Sequence, residues 1–241
     1  MKSSRIITLL ALLFSTFIVN AQEQEKTNSL LNRHNFALDL GYAYRLSSEP
    51  NELFVNQTTN KDHYSSLRHG VQINFAYDYL YKPFLAFGFK ASAFNSSNSF
   101  ISEKRTSTNA EIECKDDEYI FYVGPSVKYI FPTFSDKYSL YARGTIGYMS
   151  FRNSETKVVT VVTDTAEISK GFSSTYTGST FGWGLDLGLE YTINDFISAG
   201  CNIGFLGGSV GKLYVGEDKF KLKNNENLYR LDITVGLRIK L

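Results

Sequence analysis

The sequence predicts an all-β chain: an eight-stranded antiparallel up-and-down transmembrane β-barrel with short turns at one end and four long outer loops at the other. Three observations predict it. Stretches of strict two-residue alternation recur eight times between Phe36 and Leu241, and successive side chains of a strand point to opposite faces. The connections alternate long and short along the chain, which puts every long loop on one side of a membrane. One face of the strands carries most of the Phe, Tyr and Leu and the only Trp, while the other is small and polar.

The clearest strand is the last, Tyr229–Leu241. Tyr229, Leu231, Ile233, Val235, Leu237, Ile239 and Leu241 fall on one face, and Arg230, Asp232, Thr234, Gly236, Arg238 and Lys240 on the other. Upstream, residues 1–21 read as a signal peptide. Lys2 and Arg5 precede the apolar run Ile6–Val19, and Val19-Asn20-Ala21 supplies small residues for cleavage after Ala21. The apolar run is too short for a membrane helix, which needs roughly 20 residues. Residues 22–35 read as a polar periplasmic lead-in, and 36–241 as the barrel.

Strand one, Phe36–Leu46, sets Leu38, Leu40, Tyr42 and Tyr44 against Asp39, Gly41 and Arg45. Strand two, Leu67–Tyr79, sets Val71, Ile73, Phe75 and Tyr77 against Gln72, Asn74 and Asp78. Strand three is Phe84–Phe94, with Lys90 on its polar face. Strand four, Tyr119–Phe131, carries Lys128 on the polar face and Pro125 on the apolar one. Proline inside a sheet predicts a bulge there. Strand five, Tyr138–Phe151, and strand six, Phe181–Tyr191, place Arg143, Asp186 and Glu190 on the polar face. Strand seven is Phe196–Phe205. The long loops are 47–66, 95–118, 152–180 and 206–228. They are expected to be partly continued β-structure, because Lys157–Thr163 is rich in β-branched residues and Gly216-Glu217-Asp218 is a hairpin signal between Lys212–Val215 and Lys219–Lys223.

Volume decides which face points inward. An eight-stranded interior is just filled by side chains, and the apolar face is too bulky for it. The apolar face is therefore expected to meet lipid. Aromatics gather at both strand ends as a girdle: Tyr77, Tyr79, Tyr129, Tyr138 and Tyr191 at the short-turn end, and Tyr119, Tyr148, Phe181, Trp183 and Tyr229 at the long-loop end. The formal charge of +1 gives no electrostatic footprint for nucleic acid. Cys114, in a charged loop, and Cys201, on a lipid-facing strand, are expected to be free thiols, since a bridge needs Cα atoms within about 7 Å.

With these strands in place the chain resembles the small outer-membrane barrels of the OmpX and OmpA type. The resemblance covers Phe36–Leu241 and lies in pattern; such barrels usually end in an aromatic residue where this chain has Leu241. It implies a Gram-negative outer-membrane location, contact with lipopolysaccharide, a monomer, and a structural or interaction role through the loops. Two alternatives differ in class. One is a lipid A-modifying enzyme, since one family of small barrels uses a His-x-Ser pair with a Glu; His63-Tyr64-Ser65 has that spacing and Glu52 shares its loop. The other is a narrow pore. No catalytic, cofactor or metal site is expected. His34, His63 and His69 lack metal-ligand spacing, and Asp116-Asp117-Glu118 reads as a solvated loop sooner than a cation site. His69 is expected at the membrane interface.

The polar face carries Arg45, Arg68, Lys90, Lys128, Arg143, Arg230, Arg238 and Lys240 against Asp39, Asp78, Asp186, Glu190 and Asp232. Unpaired charges in a narrow interior are costly, so ion pairs are expected to plug the lumen. Distance from the periplasmic ends pairs Arg143 with Asp186 and Asp39 with Arg238.

Overall fold

The alternating stretches form strands because two-sided segments can satisfy every backbone group only by pairing around a closed ring. In a computed structural model describing residues 33–47, 52–105, 110–132, 135, 137–162 and 167–241, this ring is complete. The strands are β1 (His34–Arg45), β2 (His69–Lys82), β3 (Leu85–Arg105), β4 (Ala110–Ile130), β5 (Tyr138–Val162), β6 (Glu167–Thr192), β7 (Ile197–Val215), β8 (Asp218–Asn227) and β9 (Arg230–Lys240). All but β8 join the ring, each antiparallel to its neighbours. The closing strand β9 pairs with β1, Phe36 opposite Ile239 and Leu40 opposite Val235. The expected signal peptide, residues 1–21, and residues 22–32 of the expected lead-in lie outside the described residues.

The two faces separate as their chemistry demands. Outward-facing Leu38, Leu40, Ile233 and Val235 are 55–62% exposed, while inward-facing Ala37, Asp39, Thr234 and Arg238 are no more than 4% exposed. Among the described residues no helix is long and apolar enough to cross a membrane; the strands are the crossing elements.

Above the membrane the strands continue. β3 and β4 stay paired up to Arg105 and Ala110, and β5 and β6 up to Val162 and Glu167. Much of the predicted loops 95–118 and 152–180 is therefore ladder. Within 206–228, β7 extends to Val215 and returns as β8 through Gly216, whose φ of 61° is a conformation that suits glycine. The loop 47–66 holds two short helices that the sequence reading missed, α1 (Val55–Thr59) and α2 (Lys61–Leu67). The Asn60 side chain caps α2 by accepting from the N–H groups of Asp62 and His63, at 3.0 and 3.1 Å.

The bulge expected at Pro125 does not form. Val123 pairs with Tyr148 and Ser126 with Thr145 in one unbroken register, leaving only the rungs between them unmade. The Thr145 hydroxyl donates to the Pro125 carbonyl at 3.0 Å. Glycine resolves the crowding: an added Cβ on Gly124 would come within 2.0 Å of the Ile146 carbonyl oxygen.

Candidate functional site: a filled interior beneath an extracellular sheet

The interior is built in layers, and the lowest holds charge. The predicted partners Asp39 and Arg238 lie together, with Arg238 Nη1 2.6 Å from Asp39 Oδ1. The other predicted pair is corrected. Arg143 and Asp186 are direct cross-strand neighbours, yet Arg143 Nη2 reaches Asp78 at 2.6 Å and Asp186 accepts from Lys90 at 2.7 Å. A narrow ring brings non-neighbouring strands as close as neighbouring ones, and long cationic side chains reach across it. Lys128 sits 2.7 Å from Glu190 and 3.6 Å from Asp78, with its ammonium 4.1 Å from the centre of the Tyr141 ring. Asn202 Nδ2 donates to Asp39 at 3.0 Å.

Arg230 donates to Ser92 Oγ at 2.8 Å. Asp232 lies against Asp186 where Gly204 leaves room; a Cβ on Gly204 would meet Asp232 Oδ1 at 2.6 Å and Asp186 Oδ1 at 2.7 Å. Lys240 reaches Thr192 at 3.4 Å near the periplasmic end. Arg68, expected to face inward, instead lies over the outward ring of Tyr44 at 4.5 Å.

Above the charges lies a layer that the sequence reading missed. Phe94, Ile120, Tyr122, Met149, Phe151, Leu206, Val210 and Leu213 point inward, each 0–1% exposed, and pack as one cluster with Phe54. Phe54 enters from the 47–66 loop, just before α1. The signal was present: Phe94 and Ile120 sit on the polar parity of their strands.

A polar cap covers the apolar layer. Arg45 bonds Glu118 on β4 and Glu226 on β8, the latter at 2.6 Å. Gln57 donates to Glu118 at 3.1 Å and Asn56 to Asp116 at 3.4 Å, fastening α1. His63 on α2 bonds Asp116 Oδ2 at 2.5 Å through Nε2, and Asn98 Nδ2 donates to its Nδ1 at 3.1 Å. The predicted solvated acidic loop is thus corrected. Asp116 and Glu118 are inward and 0% exposed, because the segment is a strand and alternates; Asp117 faces out and pairs with Lys115 at 3.0 Å. Burial pushes the Glu226 carboxyl up from its ordinary value, against the pull of Arg45.

The residues of the His-x-Ser arrangement lie in different surroundings. Both His63 ring nitrogens are engaged, while Ser65 and Glu52 are exposed. Among the described residues no cluster of three or more His, Cys, Asp or Glu is arranged to hold a metal ion. Both cysteines are free; Cys201 is exposed on the outer wall, and Cys114 is buried on β4, not in a loop.

Aromatic side chains occupy both ends of the outer wall. Tyr138 and Tyr191 lie 5.2 Å apart between ring centres, and Tyr77 lies 5.8 Å from Phe89, at the short-turn end. Tyr129 is flanked by Phe84 and Phe131, and Arg33 donates to the Tyr79 hydroxyl at 3.3 Å. At the long-loop end Trp183, Phe205 and Tyr229 form a row with centres 5.2 and 5.9 Å apart, and Tyr119 and Tyr148 are exposed. His69 faces outward and bonds the Tyr42 hydroxyl.

Solved structures similar to this protein include Neisserial surface protein A (NspA), at 12% identity and TM-score 0.44, covering 88% of this chain and 100% of that one. The outer membrane protein OprG from Pseudomonas aeruginosa is 10% identical with TM-score 0.46, covering 88% and 97%. Ail, the attachment invasion locus protein of Yersinia pestis, solved with the heparin analogue sucrose octasulfate, is 13% identical with TM-score 0.39, covering 87% and 99%. No curated protein matches the chain. The family described as outer membrane protein beta-barrel domain matches residues 9–240. The chain belongs to that family, and it is an integral β-barrel of the Gram-negative outer membrane.

Proposed function

We propose that this barrel is a closed, monomeric scaffold that anchors an extracellular sheet in the outer membrane and offers the sheet's edge to a partner protein. Its role is structural or adhesive. The observation that carries this reading is the top of β6. Residues 167–175 pair with β5 on one side, whereas β7 meets β6 only at Tyr176 and Thr177 and again from Gly182. The side chains from Ser169 to Ser174 are exposed and mostly small. An edge of this kind presents a row of N–H and C=O groups to which an extended segment of another chain can add as a further strand. On the other side of the sheet α2 packs against β3, where Asn98 Nδ2 donates to His63 Nδ1 at 3.1 Å.

The layered interior supports a plugged lumen, with ion pairs below, packed apolar side chains in the middle and the α1–α2 cap above. The aromatic rings at both ends support a girdle that fixes the barrel's depth. Deleting residues 157–172 and joining β5 to β6 by a short turn tests the edge. Cells carrying the shortened protein are expected to lose attachment to surfaces that the full protein binds, while the barrel still folds. Undiminished attachment would contradict the reading.

A further inference from the structure

The β7–β8 hairpin has two chemically different faces. Its inner face packs Leu213 and Leu222 into the interior cluster. Its outer face carries Lys212, Lys219, Lys221 and Lys223, all exposed, around Tyr214. Lys212 stands directly opposite Lys221 across the two strands, and Lys219 stands opposite Tyr214 with its ammonium 5.8 Å from the ring centre. Among the described residues no carboxylate lies within 4.0 Å of any of these four ammonium groups. Like charges facing each other on one sheet surface are destabilising, and nothing in the hairpin's own packing requires them, since the core contacts come from the other face.

We infer that this lysine face binds the phosphorylated sugars of lipopolysaccharide in the surrounding membrane. Anionic groups of any source would relieve the repulsion between the lysines. What selects lipopolysaccharide is the surface directly below. The row Trp183, Phe205 and Tyr229 lies on the same outward wall and marks the membrane interface. Lys212 follows Phe205 on β7, on the order of 20 Å further along the strand at about 3.3 Å per residue. A strand tilt of about 40° lowers that to roughly 15 Å above the aromatic row, within reach of a sugar–phosphate headgroup that rises above the acyl chains. An amphiphile therefore meets aromatic rings with its chains and lysines with its headgroup on one continuous wall. The surface is separate from the β6 edge, so it stands or falls apart from the partner-binding reading.

Binding of the full-length protein to purified lipopolysaccharide, to dephosphorylated lipopolysaccharide and to heparin tests the inference. The protein is compared with the K212Q/K219Q/K221Q/K223Q variant, and folding is checked by the heat-dependent gel shift of the barrel. The wild type is expected to bind lipopolysaccharide with an affinity that falls as salt rises. The variant, and removal of the phosphates, should each weaken binding about tenfold. If the fourfold variant does not fold, K212Q/K221Q, which removes only the opposed pair, is expected to lose about threefold. Equal binding by the folded variant overturns the inference, as does equal binding of the dephosphorylated form. Heparin bound as tightly as lipopolysaccharide also overturns it, because the face would then take any soluble polyanion.

Discussion

Arg143 and Asp186 stand opposite each other in the β5–β6 ladder, yet each finds its ion pair on another strand, Arg143 with Asp78 and Asp186 with Lys90. The lumen is therefore tied across its width as well as along its wall. Asp78 also lies 3.6 Å from Lys128, so it serves two cations. In double-mutant cycles the Arg143–Asp78 coupling is expected to exceed 1 kcal/mol, roughly, and the Arg143–Asp186 coupling to be smaller. Asp78→Ala, which leaves the buried Arg143 without its ion pair while Lys128 keeps Glu190, should cost on the order of 3 kcal/mol in urea unfolding of the vesicle-inserted protein. The reverse order of couplings would show that the sequence-neighbour pair is the real one.

Phe54 fastens the cap to the apolar layer. It is fully buried, with its ring centre 5.2 Å from that of Tyr176 and 5.9 Å from that of Phe151. Phe54→Ala is expected to loosen the segment 52–67 by about 3 kcal/mol, seen as faster amide exchange in α1 and α2 with the transmembrane strands unchanged. Unaltered protection of the helices would mean that the polar contacts of Gln57 and His63 suffice.

Glu226 sets a pH dependence whose direction follows from its raised carboxyl. The folded state holds the proton more tightly than the unfolded chain. Its contribution to stability is therefore full below the ordinary carboxyl value of 4.5 and is lost as pH rises through the raised one. Unfolding midpoints of wild type and Glu226→Gln, measured from about pH 4 to 8, should differ in slope over that window, with the variant flatter. Parallel curves would remove Glu226 from the account.

The two thiols should respond oppositely to their surroundings. Cys114 is 1% exposed, and burial pushes its thiol up, so a water-soluble maleimide should leave it unlabelled on intact cells until the protein is unfolded. Cys201 is exposed on the wall between Ala199 and Ile203, so it should be shielded by the bilayer and labelled by a lipid-soluble reagent. Rapid labelling of Cys114 on cells would mean that the cap stands open.

The strands were legible because one residue in two must be apolar on a lipid-facing wall; that rule finds β9 from Leu231 to Ile239 without any partner. The closing pair Asp39–Arg238 forms although counting from the strand ends misses the register by two residues: Ala37 stands opposite Arg238 and Gly236 opposite Asp39, and the long guanidinium spans the diagonal. Arg143 misled because distance along a strand ignores reach across the lumen. The α1–α2 cap stayed hidden because its helices are too short for periodicity, although Asn60, two residues before Asp62, is a helix-capping signal. The apolar layer stayed hidden because Phe94, Ile120, Met149 and Leu206 come together only in three dimensions.

The central claim is that the interior is closed by packed layers. Single-channel recording of the folded protein in a planar lipid bilayer tests it most directly. The account predicts no stable open state in the wild type across ordinary voltages and salt concentrations. A stable, large conductance in the wild type would contradict it.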